Sequence, residues 1–285
     1  MDDSTLAEAC GAKVVYRDDN VAVVKESEPV LTDLRQIDDL KFPDPEKDGR
    51  LSEWLETTSR IAEKIDREAV VMGRADQGPF NLLCLLRGTQ EFMLDLLEED
   101  EEVIQHALEW TTRVHVAFAK AQLKAGATMT SMGDAYASPN LVSPDIYRTY
   151  AKPYECRVVE EVQTEEKPYS IHICGDTNKI IKDMGETGAR ILEVDWKLDL
   201  AKAREEIPES TVLMGNVNPS DPLYLGTPEE VDLAVRKVVE ATRGKGLIIS
   251  SGSAIGANTS PENMRALIAA ARKYGTHENV LKLQN

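Results

Sequence analysis

From about residue 70 onward, short β-type runs alternate regularly with longer helical patterns, and this alternation is the feature that most constrains the fold. Strands separated by stretches of helical length are typical of βα units, in which crossover helices join parallel strands. The predicted strands are Ala69–Arg74, Ala127–Gly133, Tyr169–Cys174, Arg190–Asp195, Thr211–Val217 and Leu247–Ser251. The pattern therefore predicts an α/β chain with a parallel sheet.

Three helix starts are marked by a hydroxyl residue followed by proline, at Ser143-Pro144, Thr227-Pro228 and Ser260-Pro261. A hydroxyl side chain can cap the first turn of a helix, and proline suits the first helical position. Thr227 is also followed by Glu230, the spacing of a capping box. In α/β barrels the loops leading from strands into helices carry the active site, so polar residues at strand ends are the candidates for chemistry.

The first fifty residues have a different pattern. The apolar runs Val14-Val15-Tyr16 and Val21-Ala22-Val23-Val24 are separated by the polar residues Arg17-Asp18-Asp19-Asn20, which predicts a β-hairpin. We expect a single domain over residues 1–285, in which residues 1–50 form the hairpin and a loop extension and residues 51–285 form the βα units.

Composition excludes some partners. The chain has 33 Lys and Arg against 50 Asp and Glu, a net charge of −17, so nucleic acid and anionic membranes are not expected to bind. No stretch approaches the roughly 18 uncharged apolar residues of a membrane helix, and the N-terminus lacks the pattern of a secretory leader. Four irregularly spaced cysteines do not form a disulfide framework, which predicts a reducing, cytoplasmic environment.

The tripeptide His172-Ile173-Cys174 ends one of the predicted strands. Alternate side chains of a strand share a face, so the imidazole and the thiol would converge while Ile173 points the other way. Both groups are zinc ligands, with bond lengths of about 2.0–2.3 Å. The alternative is a buried cysteine and a hydrogen-bonded histidine in an ordinary strand, and the tripeptide alone leaves both interpretations open.

Polar residues end other predicted strands as well. The candidates for a pocket above the sheet are Asp134, Asp195, Asn216 and Ser253. Each of them, taken singly, can equally be a helix cap or a turn residue. Arg74 ends the first predicted strand and could pair with an anionic substrate group or with an aspartate in its own loop.

Several motifs in a fixed order carry a family resemblance: His172-Ile-Cys174-Gly-Asp176, Leu213-Met-Gly215-Asn216-Val-Asn-Pro219, and Ser251-Gly-Ser253. The chain resembles the uroporphyrinogen decarboxylase superfamily, and within it the methylcobalamin:coenzyme M methyltransferases and related corrinoid-dependent methyltransferases. The resemblance implies a TIM (β/α)₈-type barrel and transfer of a methyl group from methylcobalamin or another methylcorrinoid. The acceptor would be a zinc-bound thiol such as coenzyme M, as in methanogenesis, or a reduced folate.

The resemblance also implies roles for the candidate residues. His172 and Cys174 would be catalytic zinc ligands, and Asp134 a catalytic residue that positions the acceptor or the metal's surroundings. Contacts to substrate would come from Arg74, Asp195, Asn216 and Ser253. The implied partners are a corrinoid carrier protein and a small-molecule methyl acceptor.

Two departures from the family pattern matter. Thiol-methylating members have a cysteine as third zinc ligand where this chain has Ser253, so zinc binding would be weakened or a carboxylate such as Glu193 would be recruited as a metal ligand. Members also carry additional N-terminal sequence, so we expect a barrel that lacks its first one or two βα units. Open sheet edges would then be covered by a second copy of the chain, which predicts a homo-oligomer.

Two other functions stay open at this point. One is a metal-free decarboxylase that acts on porphyrinogens, like the parent family. The other is a non-catalytic homologue that binds a corrinoid partner or a ligand, because Ser253 replaces the third ligand cysteine.

Overall fold

A computed structural model of the chain describes residues 4–18, 20–66 and 68–284, excluding the side chains of Asn20 and Asp76. Residues 1–3, on which the prediction about a leader depends in part, and Asp19 of the predicted hairpin turn lie outside the described residues. The chain divides into two compact units. The first unit comprises Met1–Ala137 and Leu141–Ile171, and the second comprises Ser138–Asn140 and His172–Asn285.

The strands form two sheets. Their bounds are β1 (Val14–Arg17), β2 (Asn20–Val24), β3 (Met72–Gln77), β4 (Met129–Gly133), β5 (Tyr169–Ile173), β6 (Ile191–Val194), β7 (Val212–Val217) and β8 (Leu247–Ser251). The strands β1 and β2 pair antiparallel, as the predicted hairpin requires. The strands β3 to β8 follow one another in chain order in a six-stranded sheet, and the pairs β3–β4, β6–β7 and β7–β8 are parallel.

Helices occupy most of the segments between the strands. The α-helices are α1 (Thr5–Ala9), α2 (Leu51–Ile65), α3 (Pro79–Arg87), α4 (Thr89–Glu98), α5 (Glu101–Lys124), α6 (Pro144–Ile146), α7 (Lys152–Val162), α8 (Ile181–Glu186), α9 (Leu200–Glu206), α10 (Pro228–Ala241), α11 (Pro261–Tyr274) and α12 (His277–Gln284). Short 3₁₀-helices span Leu34–Asp39 and Ala135–Ala137, and a π-helical turn spans Tyr147–Ala151.

The three hydroxyl–proline helix starts are confirmed. Ser143 accepts a hydrogen bond from the amide of Ile146, and Ser260 accepts one from the amide of Asn263. Thr227 and Glu230 form the complete capping box at the start of α10. These starts can be found from sequence because a cap and its amide partner lie three residues apart, and no tertiary contact is needed to form them.

The strand β3 begins later than predicted. Ala69 and Val70 are exposed, Val70 by 68%, and pairing with β4 begins where Met72 lies beside Met129. The prediction began the strand at Ala69 because residues 69–71 are apolar. In the structure the strand begins at Met72, where it first pairs with β4. At the other end, β3 continues to Gln77.

Each unit has its own apolar core. In the first unit the long helix α5 packs against β3, β4, α3 and α7, and Phe80 contacts Phe92 edge to face at 5.1 Å. In the second unit α10 packs against β7 and α11 through the buried residues Val231 and Val235. Within the described ranges, no helix has both the length and the apolar character needed to cross a membrane.

Candidate functional site

The structure brings His172 and Cys174 together. His172 lies on β5 and is almost fully buried, whereas Cys174 follows the last residue of the strand and is half-buried. The imidazole Nε2 lies 3.0 Å from Cys174 Sγ. The two side chains therefore lie on one side of the chain and form a hydrogen-bonded pair.

The hydrogen bond of the second imidazole nitrogen, Nδ1, fixes the orientation of the His172 ring. His172 Nδ1 lies 3.0 Å from the carbonyl oxygen of Glu193 on the neighbouring strand β6. A carbonyl oxygen only accepts hydrogen bonds, so Nδ1 carries a proton and Nε2 is the nitrogen left for Cys174 or for a metal ion. This arrangement is typical of histidine ligands, whose second nitrogen is held by a backbone carbonyl.

The pair also holds a proton. Burial lowers the pKa of His172, but the hydrogen bond and charge of Cys174, together with Glu193, outweigh burial and raise the pKa to about 9. A metal ion bound between Nε2 and Sγ would have to displace that proton, because ligands coordinate in their deprotonated forms.

His172 Nε2 and Cys174 Sγ could supply two of the ligands of a zinc site. Among the described residues, no third His, Cys, Asp or Glu joins His172 and Cys174 in an arrangement able to hold a metal ion. Glu193 contributes its backbone oxygen to His172, and its role as third ligand stays a prediction. Ser253 is half-buried in the loop after β8. Catalytic zinc sites normally have three protein ligands, and the two strong ligand groups that the structure brings together are His172 and Cys174. Ser253 in place of a third ligand stays a prediction.

Asp195 and Asn216 hold loops of the second unit. Asp195 accepts hydrogen bonds from the amide of Gly175, at 2.9 Å, and from the amide of Lys197, at 3.0 Å. The amide nitrogen of the Asn216 side chain donates to the carbonyl oxygens of Asp195 and Leu198. Both residues have the turn-stabilising contacts that were the alternative to substrate binding, and their substrate contacts stay predictions.

Asp134 belongs to the first unit and is fully buried. Its carboxylate accepts a hydrogen bond of 2.6 Å from the amide of Asn81 and another from the amide of Phe80, at the N-terminus of α3. Burial raises its pKa to about 7 despite these two bonds. Oδ2 has no hydrogen-bond partner within the described part of the chain. The structure thus gives Asp134 a helix-capping role, and its catalytic role stays a prediction.

Glu155 on α7 is a functional candidate that the sequence analysis missed. It is fully buried, accepts a hydrogen bond of 2.6 Å from the hydroxyl of Tyr147, and has a pKa raised to about 8 by burial and by the charge of Asp134. The signal was its helical spacing: Glu155 lies three, four and seven positions before buried valines, on the apolar stripe of α7. A carboxyl group on such a stripe is unusual and marks a buried titratable group.

Arg74 lies on β3 beside Ser131 of β4 and is half-buried. The side chain of Asp76, its predicted loop partner, lies outside the described residues. Substrate contact by Arg74 therefore stays a prediction.

The profile of the uroporphyrinogen decarboxylase (URO-D) family matches residues 1–274. The chain belongs to the uroporphyrinogen decarboxylase family. The resemblance seen in the order of the motifs is thereby confirmed.

Curated relatives within this family include proteins of two kinds. The methylcobamide:CoM methyltransferase MtbA of Methanosarcina mazei is 29% identical over 93% of this chain and 75% of its own length. A uroporphyrinogen decarboxylase of Prochlorococcus marinus is 27% identical over 89% of this chain and 73% of its own length.

A solved structure extends the similarity to three dimensions. A methyltransferase from Methanosarcina mazei matches with a TM-score of 0.86 and 26% identity, over 96% of this chain and 78% of that chain. The predicted fold class, an α/β barrel of the TIM type with an N-terminal hairpin, is confirmed.

Proposed function

We propose that this member of the uroporphyrinogen decarboxylase family is a corrinoid-dependent methyltransferase that transfers a methyl group to a thiol such as coenzyme M. The observation that carries the proposal is the His172–Cys174 pair, with Nε2 and Sγ 3.0 Å apart and Nδ1 anchored on Glu193. The similarity to MtbA and to the Methanosarcina mazei methyltransferase structure supports the same activity.

The chain's residues suit activation of a thiol. A zinc ion, when bound, would keep a coordinated acceptor thiol deprotonated near neutral pH. His172 would hold the ion through Nε2, since its ring is fixed at Nδ1, and Cys174 would hold it through Sγ. Cys174 is half-buried and not enclosed, which leaves room in the proposal for an acceptor to approach the residue.

The transfer itself is a displacement at carbon. The methyl carbon forms a bond to the acceptor sulfur while the cobalt–carbon bond breaks, and the electron pair of that bond stays on cobalt as Co(I). The protein needs to bring the two reactants into line and keep the acceptor deprotonated, which are effects of orientation and electrostatics.

Because Ser253 stands in place of a third ligand cysteine, the identity of the methyl acceptor is a separate part of the proposal. A site with two strong ligands favours an acceptor that itself binds the ion firmly, as a thiolate does. A reduced folate is the alternative acceptor. The proposal also includes a carrier protein as methyl donor, a cytoplasmic location and a homo-oligomeric state. The four free cysteines suit a reducing compartment.

The test is methyl transfer from methylcobalamin to coenzyme M by the purified, zinc-supplemented protein. The appearance of Co(I) is followed by absorption, the methylated thiol by mass spectrometry, and bound zinc by elemental analysis. We expect turnover and zinc binding to be lost in His172→Ala and in Cys174→Ala. Cys156→Ala, which removes a half-buried cysteine on α7, should keep both.

Two results would contradict the proposal. One is methyl transfer that persists in both site variants, and the other is failure of the native protein with thiol and folate acceptors alike. Decarboxylation of uroporphyrinogen would instead support the activity named for the Prochlorococcus marinus relative.

A further inference from the structure

We infer that Ser138 and Asp195 are positioning residues that hold the peptide group following Cys174 and thereby aim Sγ at His172 Nε2. All four residues belong to the second unit. The inference rests on the proposed function only for the chemical use of the thiol, because the geometry can be tested on the thiol itself.

The position of Cys174 creates the need for such support. The strand β5 ends at Ile173, so Cys174 lies beyond the strand residues. The next residue, Gly175, has a φ of +89°, and the chain therefore turns sharply directly after the thiol-bearing residue. Without other contacts, rotation about the N–Cα bond of Cys174 would move its carbonyl carbon and its Cβ together, and the thiol would move relative to the imidazole.

Two side chains bind opposite ends of the same peptide group. The hydroxyl of Ser138 donates a hydrogen bond of 2.6 Å to the carbonyl oxygen of Cys174. The amide of Gly175, the other end of that peptide, donates a bond of 2.9 Å to Asp195 Oδ2. Because the peptide group is rigid, holding its oxygen and its nitrogen also holds the carbonyl carbon of Cys174 that joins them. With β5 holding the other side of Cys174, the direction of its Cα–Cβ bond is set.

The two anchors are themselves immobilised. Ser138 and Asp195 are 4% and 5% exposed. The second oxygen of Asp195 accepts a bond from the amide of Lys197, and its backbone oxygen accepts one from Asn216. Buried groups with this many hydrogen bonds have little freedom to reorient.

The fit around the turn is close. A Cβ atom on Gly175 would lie 2.9 Å from Asn140 Oδ1 and 3.0 Å from Ser138 Oγ. Asn140 Oδ1 also accepts a hydrogen bond from the amide of Asp176, the second residue of the turn. The residue after Cys174 must therefore be glycine, both for its backbone conformation and for the approach of Ser138.

The test measures the alkylation rate of Cys174 by iodoacetamide, read from its peptide by mass spectrometry at one pH, with Cys156 as internal reference. His172→Ala gives the rate of a thiol that lacks its imidazole. We expect Ser138→Ala and Asp195→Ala to change the rate constant by about tenfold toward the His172→Ala value, the factor that corresponds to loss of one hydrogen bond.

Matched variants distinguish loss of the positioning contacts from a general disruption of the loop structure. Ser138→Thr keeps the hydroxyl and should keep the wild-type rate. Asp199→Ala removes another aspartate of the same loop, one that caps the amides of Ala201 and Lys202, and should also keep it. If Asp195→Ala does not fold by circular dichroism, the comparison of Ser138→Ala with Ser138→Thr decides.

Two outcomes would overturn the inference. Wild-type rates in folded Ser138→Ala and Asp195→Ala would show that the thiol is aimed without them. An unchanged rate in His172→Ala would show that the contact they are inferred to hold does not exist in solution. Rates that follow the expected pattern in a protein without methyl transfer would support the positioning roles while refuting the proposed function.

Discussion

The carboxyl group of Asp134 lies so close to Gly78 that a Cβ atom built on Gly78 would be 2.7 Å from Asp134 Cγ. Gly78 is the residue immediately before α3, and the same carboxylate accepts hydrogen bonds from the amides of Asn81 and Phe80. A residue at the end of β4 thus caps a helix that begins some fifty-five positions earlier in the chain, and only glycine leaves room for it.

Gly78→Ala should therefore destabilise the protein. The added methyl group would have to displace a fully buried carboxyl group, which we expect to lower the free energy of unfolding by about 1–3 kcal/mol. Urea denaturation measures the effect. Gly256→Ala is the matched control, since a Cβ there meets Thr259 Oγ1 only at 3.7 Å. Equal stabilities of the two variants would contradict this explanation.

The raised pKa of Glu155 leads us to expect that the stability of the protein depends on pH. Burial and the charge of Asp134 raise its pKa from 4.5 to about 8, although Tyr147 and Lys152 act in the opposite direction. The folded chain therefore binds a proton that the unfolded chain releases near pH 4.5, so the free energy of unfolding should fall as pH rises from about 4.5 to 8.

Glu155→Gln removes this titration and keeps an acceptor for the hydroxyl of Tyr147. We expect urea denaturation at pH 5 and pH 8 to show a loss of several kcal/mol with rising pH in the native protein and a smaller loss in the variant. Glu160→Gln, exposed on the same helix, should behave as the native protein does. A native protein whose stability rises over this interval would refute the assignment.

A buried histidine in the first unit provides a third prediction. His115 Nδ1 lies 2.7 Å from the carbonyl oxygen of Gln77, and Nε2 lies 2.5 Å from the hydroxyl of Tyr169. Nδ1 must donate to this carbonyl oxygen, so in the neutral imidazole Nε2 accepts from the tyrosine. Tyr169→Phe would leave the buried Nε2 without that donor and should cost about 1–3 kcal/mol of unfolding free energy.

Thermal or urea unfolding measures this cost. Tyr154→Phe removes a hydroxyl whose bond to Gln105 is long, at 3.3 Å, and should change the free energy of unfolding by less than about 0.5 kcal/mol. If Tyr169→Phe lowers the free energy of unfolding no more than Tyr154→Phe does, the hydrogen bond between Tyr169 and His115 contributes little to stability.

Ser253→Cys should strengthen zinc binding. A thiolate is a much better zinc ligand than a hydroxyl, and the variant would supply three strong protein ligands, so we expect affinity to rise by more than about tenfold. Competition with a chromophoric chelator measures it. Ser220→Cys, an exposed cysteine in another loop, controls for adventitious binding. The gain should vanish when Ser253→Cys is combined with His172→Ala, and its persistence there would place the metal elsewhere.

The sequence by itself determined the features that depend on near neighbours in the chain. The alternation of strands and helices, the three hydroxyl–proline helix starts and the hairpin of β1 and β2 all appear in the structure. Each depends on side-chain periodicity or on a cap and an amide three residues apart, and such interactions are local. The family followed from the order of the motifs, which is also a property of the chain alone.

The tertiary structure decided what each polar residue at a strand end does. Asp134 caps α3, Asp195 and Asn216 hold backbone groups of neighbouring loops, and Glu155 is a buried carboxylate that the sequence analysis missed. A carboxylate or amide has the same chemistry in a cap, a turn or a substrate pocket, and only the groups that folding brings within hydrogen-bond distance distinguish these roles. The amides of Asn81 and Gly175 and the carbonyl oxygen of Leu198 lie between 18 and 53 residues away in the chain from the side chains they bind, beyond the reach of any local pattern.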